Sequence, residues 1–191
     1  MLSQCQATQW LLWRCWRRRS EVKKFFQPRA NDHNLEAMKQ SVAWILVTLQ
    51  FVLITLLVAI PQGGLWPTGL VAGITAGVFL LGGLVIGVVS TIKLGRALTP
   101  NPIPRLDGHL ETGGIYGLVR HPIYTAVLLA MLGIVVWGSS TWHLVFFLLL
   151  VMLLNVKARA EERLLLERYE NYRDYARSVG RFVPGLGKIT D

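Results

Sequence analysis

The sequence predicts an all-α integral membrane helical bundle of four transmembrane helices, five if residues 5–16 also cross, with an amphipathic C-terminal helix on the cytoplasmic side. Three observations carry this. The 191 residues are 52% hydrophobic with a mean hydropathy of +0.42, more than a soluble domain needs. Positions 41–92 and 122–156 hold no Asp, Glu, Lys or Arg. A spanning helix takes roughly 20 apolar residues, so each window accommodates two helices and a turn. Finally, the basic residues behind the formal charge of +9 flank the apolar runs and build no soluble basic face, so no nucleic-acid partner is expected.

Residues 1–40 carry eight Lys/Arg against three acids, with Trp10, Trp13 and Trp16 interleaved. The charge follows a short apolar stretch where a signal peptide would place it in front, so the segment reads as interfacial, Trp at headgroup level and Arg on anionic lipid. A disordered basic tail is the plainer alternative. Cys5 and Cys15 lie among these charges without metal-ligand or redox spacing.

Residues 41–92 form the first helix pair. The first span runs from Ser41 to Ile60, where Pro61-Gln62-Gly63-Gly64 breaks it. Pro67 opens the second, which reaches Ile92; Gly73/Gly77 and Gly83/Gly87 within it have the four-residue spacing that lets helix backbones approach.

The remaining region, 93–191, holds the chemistry. Pro100, Pro102 and Pro104 stiffen a polar connection from Lys93 to His121, and Asp107-Gly108 supplies a turn. Pro122, lacking an N–H and fixed in φ, suits the first turn of a helix and places Arg120 and His121 at its mouth, where free N–H groups favour negative charge. From Pro122 an apolar run reaches Trp137, Gly138-Ser139-Ser140-Thr141 turns the chain, and a second run continues from Trp142 to Val156. Beyond Lys157, Leu165, Tyr169, Tyr172, Ala176 and Val179 recur at helical spacing with Gly180 as a cap, which predicts an amphipathic helix closed by the turn Arg181–Gly185.

Lys and Arg number eight before the first span, four between 93 and 121, and eight after the last, together all 20 in the chain. With four spans, both termini and the Arg120-His121 region therefore face the cytoplasm. The hairpin returns the chain to that same face, so Arg120-His121 before it and Glu161-Glu162 after it can converge on a pocket for a small charged ligand beside a lipidic one. The plainer reading has the two glutamates solvating their helix or pairing with Arg159 and Arg163, and Tyr116 and Tyr124 serving as interface anchors. His33, His109 and His143 show no ligand spacing with His121, so no metal is expected. Ser139-Ser140 lies in the opposite turn, away from any base, which argues against a serine hydrolase.

The ordered set Leu94-Gly95-Arg96, Leu110-Glu111-Thr112-Gly113-Gly114-Ile115-Tyr116, Arg120-His121-Pro122-Ile123-Tyr124, Glu161-Glu162, Tyr172-Arg173-Asp174-Tyr175 and Arg181-Phe182-Val183-Pro184 resembles the isoprenylcysteine carboxyl methyltransferase family and the wider group that includes phospholipid N-methyltransferases. The resemblance covers about residues 93–185. It implies a multi-pass membrane enzyme that takes S-adenosylmethionine, releasing S-adenosylhomocysteine, in a pocket on the cytoplasmic side, and that methylates a lipidic or prenylated acceptor among membrane lipids. Gly114, Ile115, Tyr116, His121, Pro122 and Tyr124 would line the cofactor, and Glu161 or Glu162 would meet its polar or cationic groups. Arg120, with the two glutamates, would be catalytic, holding the acceptor carboxylate or the cofactor's own. Where the family often has Gly after Arg-His-Pro-x-Tyr, this chain has Thr125-Ala126, and Tyr169-Glu170 stands in place of a frequent Phe-Gly. Carboxyl methylation of an isoprenylcysteine-like acceptor leads, ahead of methylation of a phospholipid amine. Membrane sterol reductases that bind NADPH share Arg-His-Pro-x-Tyr but commonly continue with Gly-Glu, which Thr125-Ala126 lacks. A membrane scaffold that docks partners through the C-terminal helix is the non-enzymatic alternative.

Overall fold

The computed structural model describes residues 30–95 and 110–189, with side chains from 41 onward. The Trp-rich segment, including residues 5–16, and the proline stretch with Asp107-Gly108 lie outside the described residues. Among the described residues five α-helices follow one another: α1 (Ala30–Ala59), α2 (Leu70–Leu94), α3 (Pro122–Gly138), α4 (Thr141–Arg168) and α5 (Tyr172–Ser178), with a 3₁₀ turn at Gly114–Gly117. The described residues contain no strand beyond one isolated parallel bridge between Val119 and Gly180. The described residues from 42 onward form one compact unit.

Ser41–Ala59, α2 and α4 are each long and apolar enough to cross a membrane, and α3 is a shorter apolar helix of 17 residues. All four lie where the charge-free windows place them. The 28 residues of α4 extend roughly 42 Å at 1.5 Å per residue, past a hydrocarbon core of about 30 Å. Its last turns therefore carry Glu161 and Glu162 to the edge of the lipid.

Glycine sets the closest helix contact. A Cβ on Gly83 of α2 would lie 2.7 Å from the Ala126 carbonyl oxygen and 2.8 Å from Ala130 N, and one on Gly133 of α3 would lie 2.8 Å from the Ala76 carbonyl oxygen. Only hydrogen fits there, so α2 and α3 meet backbone to backbone. On the other side of α3, Leu53 and Leu57 of α1 pack with Val135, Leu150, Leu153 and Leu154 in a buried cluster.

The α1–α2 loop and the α3–α4 turn are stitched together at one end. Gly63 N donates to the Gly138 carbonyl at 2.8 Å, Leu65 N to Ser139 O at 2.9 Å, and the Trp66 indole to Val136 O at 2.8 Å. Ser139 holds φ +46°, the left-handed turn that ends α3, and its hydroxyl accepts from Trp66 N and donates to Trp66 O. Two opposite turns at a common end are what an up-and-down four-helix arrangement requires.

One element differs from the sequence expectation. The amphipathic helix after Lys157 is not continuous: α4 ends at Arg168, Tyr169 is extended, and the chain restarts as the short α5. The turn residues Glu170-Asn171 favour the break, and breaking lets Tyr172 and Ala176 bury toward the site. Gly180 does not cap that helix, whose C-cap is Val179. It forms the bridge to Val119 instead, where a Cβ would collide with the backbone of Val183, Gly185 and Leu186.

Candidate active site

The site grows from backbone pairing between two distant segments. Arg120 N donates to Gly180 O at 2.8 Å and His121 N to Arg181 O at 3.1 Å, while the Thr125 hydroxyl reaches Phe182 O at 2.8 Å. The chain after α5 is thereby laid against the mouth of α3. Pro122 occupies the first position of α3, as its fixed φ favours, with His121 as the N-cap residue.

Glu162 stands at the centre. Its Oε1 accepts from Arg120 Nε at 3.0 Å and Nη2 at 2.8 Å, from His121 Nε2 at 3.2 Å and from Arg181 Nε at 3.0 Å, and its Oε2 accepts from Arg181 Nη2 at 2.7 Å. Two guanidiniums therefore hold one carboxylate whose side chain is 5% exposed. Because a carboxylate only accepts, His121 points its Nε2–H at Glu162. Arg181 Nη1 donates to Asn155 Oδ1 at 2.8 Å as well.

Arg120 has no donor left over. Nη1 donates to the Ala176 and Val179 carbonyls and Nη2 also to Gly187 O at 2.8 Å, so all five N–H groups are engaged by the protein. The expected role of holding an acceptor or cofactor carboxylate is thus not available to it in this geometry. Arg120 instead joins Glu162 to the end of α5 and to the segment beyond.

Glu161 contrasts with its neighbour. Its side chain is 29% exposed, its Oε2 accepts from the Tyr124 hydroxyl at 3.2 Å, and His121 Nδ1 stands 3.6 Å away. The His121 and Tyr124 rings stack at 5.3 Å with planes 7° apart, and Phe182 meets both edge-on at 6.1 and 6.3 Å. An open carboxylate beside aromatic faces suits a cationic group. Neither glutamate pairs with Arg159 or Arg163 among the described ion pairs.

The 3₁₀ turn closes one side. Gly114 holds φ +59°, which glycine adopts without strain, and a Cβ there would sit 3.4 Å from Lys93 Cε. Tyr116 is buried, accepts the Tyr175 hydroxyl on its carbonyl at 2.6 Å, and directs its own hydroxyl toward Ser90 O at 3.5 Å. Burial, reinforced by Glu161, pushes the Tyr116 hydroxyl up to about 12; burial, opposed by Arg120 and aided by Glu111, brings Tyr175 to about 12 as well. Tyr116 is therefore no interface anchor. Pro122 is fully buried and follows His121 at the start of α3, whereas Gly114 and Ile115 keep exposed or half-exposed positions.

A groove of about 720 Å³ runs between α2 and α3, reaching Ile54 of α1, with Gly83, Gly87, Thr91, Ile123 and Val127 in its walls. Its lining is apolar apart from Thr91.

A family model described as phospholipid methyltransferase matches residues 71–172. The chain belongs to the phospholipid methyltransferase family. It is 34% identical over 89 residues to methanethiol S-methyltransferase of Pseudomonas deceptionensis, covering 44% of this chain and 32% of that protein. It is also 31% identical over 163 residues to the cobalt-zinc-cadmium resistance protein CzcN of Cupriavidus metallidurans, covering 83% of this chain and 69% of that one. The chain thus spans about a third of the first relative and about two thirds of the second. No solved structure matches it. The phospholipid methyltransferase match includes the 3₁₀ turn, Arg120-His121 and both glutamates. Arg181 and Phe182 lie beyond it; the motif Arg181-Phe182-Val183-Pro184 marks their segment, but nothing in it pairs Arg181 with Glu162.

Proposed function

We propose that this chain is an S-adenosylmethionine-dependent integral membrane methyltransferase acting on an acceptor with an apolar body, an isoprenylcysteine-like carboxylate being the leading class. The observation that carries the reading is the division of labour between adjacent carboxylates in a chain of this family: Glu162 is locked by two arginines and Glu161 is open beside stacked rings. The donor set fits the cofactor, since Glu161 offers an anion to an ammonium or sulfonium and His121, Tyr124 and Phe182 offer aromatic surface. When bound, the cofactor supplies an activated methyl group on a positively charged sulfur.

The residues then have mostly positioning to do. Glu161 opposes the positive charge, Glu162 fixes the His121 ring through Nε2, and Arg120 with Arg181 keeps Glu162 in place. An anionic acceptor needs alignment and exclusion of water more than a base. The apolar groove beside Ile123 gives the acceptor's body a place next to these groups. The similarity to a methanethiol methyltransferase supports a thiol as the second acceptor class.

Calorimetric titration of the purified protein with S-adenosylhomocysteine and with NADPH tests this. The first is expected to bind and the second not. Glu161→Gln should weaken S-adenosylhomocysteine by about tenfold or more, the scale of one charge-assisted hydrogen bond. Binding of NADPH alone overturns the reading in favour of a reductase, and binding of neither favours a scaffold. Labelled cofactor supplied with a lipid extract identifies the acceptor class.

A further inference from the structure

One buried charge plays no part in the site built above. Lys157 lies one turn before Glu161 on α4, about 24 Å from the start of that helix at 1.5 Å per residue and so within a hydrocarbon core of roughly 30 Å. It is 3% exposed. Its ammonium donates to Gln50 Oε1 of α1 at 2.8 Å and lies 5.2 Å from the centroid of the Tyr124 ring. The ion pairs among the described residues leave it out, although Glu161 and Glu162 are close by in sequence.

An ammonium with three donors, held in a protein interior by one neutral amide, is costly. At membrane depth such a group marks a path or a binding site. The surrounding charges sharpen the point, because Glu162 is matched by Arg120 and Arg181, while Lys157 feels the Glu161 carboxylate only from beyond ion-pair distance. Its setting also connects to the groove. Gln50 and Ile54 stand four apart on one face of α1, and Tyr124 and Val127 three apart on one face of α3. Ile54 and Val127 both line the groove, so the two residues that flank the ammonium each stand about one turn from a residue of its wall.

We propose that Lys157 is the acceptor-recognition cation, receiving a compact anionic nucleophile, carboxylate or thiolate, at the head of an acceptor whose apolar body lies in the groove. Gln50 holds the ammonium until the anion arrives. The inference rests on the methyltransferase reading for its chemistry. A lone pair on the acceptor's oxygen or sulfur forms the bond to the methyl carbon, and the carbon–sulfur bond of the donor breaks with its electrons left on sulfur. One negative and one positive charge cancel, so no proton moves and Lys157 keeps its hydrogens. An amine acceptor would have to shed a proton and, while charged, would approach Lys157 against repulsion.

The test measures binding by calorimetry on the full chain in detergent, with S-adenosylhomocysteine present. The probes are sodium dodecanoate and 4-butylthiophenolate, each against its neutral counterpart, dodecanol and 4-butylphenol. Each anion is expected to bind about tenfold or more tighter than its counterpart, the scale of a charge-assisted contact. Lys157→Met should abolish that preference, leave dodecanol within about twofold and S-adenosylhomocysteine within about threefold, and Lys157→Arg should restore part of it. Equal binding of anion and neutral probe to the wild type, or a preference that survives Lys157→Met, overturns the proposal. If S-adenosylhomocysteine fails to bind while the Lys157-dependent preference holds, the methyltransferase reading falls and the anion site stands. Should Lys157→Met not fold, Gln50→Leu decides: freeing the ammonium should tighten dodecanoate several-fold, and weaker binding overturns the role given to Lys157.

Discussion

Glu161 and Glu162 are chemically identical and one residue apart, yet their surroundings give them different work. Glu162 is buried between guanidiniums that never lose their charge, so Glu162→Gln leaves Arg120 buried without its counterion. A broken buried pair costs about 3–5 kcal/mol, and thermal unfolding in detergent should show a large fall in Tm for Glu162→Gln. Glu161→Gln, at a half-exposed position, should move Tm little while weakening ligand binding. A similar fall for both would mean that neither carboxylate is set apart. The tyrosines give a pH prediction. Tyr116 and Tyr175 titrate near 12 in the fold against 10.0 ordinarily, so the unfolded chain releases their protons first. Their contribution is intact below pH 10 and falls between pH 10 and 12, and Tyr175→Phe should flatten the alkaline decline in Tm over that window. The convergence of Arg120-His121 with Glu161-Glu162 was legible in the sequence, because a hairpin of two apolar arms has to return the chain to one face. The clamp by Arg181 was not, since its partner lies 19 residues away across a helix break that no apolar periodicity marks.

At the scale of elements, the four apolar helices follow from where charge is absent, and their starts and stops from Pro61, Pro122 and the Gly138–Thr141 turn. Glycine spacing indicated close packing but not which glycines pack. Gly83 meets the backbone of α3, whereas Gly77, in the same helix, has nothing within 4 Å of its would-be Cβ. Gly83→Ala should therefore destabilise by about 1–3 kcal/mol as an overpacked contact, and Gly77→Ala should be neutral or slightly stabilising, since alanine favours the helix by up to about 1 kcal/mol. Thermal unfolding of the two variants side by side checks this; equal effects would show that α2 and α3 are not in backbone contact at Gly83. The break between α4 and α5 was hidden for the opposite reason. Tyr169, Tyr172 and Ala176 keep helical spacing through it, so the pattern reads as one helix, while the carbonyls of Ala176 and Val179 can reach Arg120 only if the chain turns.

Across the whole molecule, charge and geometry make a joint statement about sidedness. The α1–α2 loop and the α3–α4 turn share one end and their hydrogen bonds, and neither contains a Lys or Arg. Lys93, Arg120 and the described basic residues from Arg159 onward fall at the end that holds the site, and the excess of Lys and Arg there predicts that this end is cytoplasmic. Single cysteines test this in a background with Cys5 and Cys15 replaced by serine. Gly64→Cys, at an exposed position with open space around it, should react with a membrane-impermeant maleimide added outside intact cells. Lys188→Cys, exposed beyond the site, should react only after the membrane is opened. The reverse pattern would place the site, and with it the pool of acceptors, on the outer face. Labelling of both positions from outside would contradict the odd number of spans between them, α2, α3 and α4, and their arrangement would need to be redrawn.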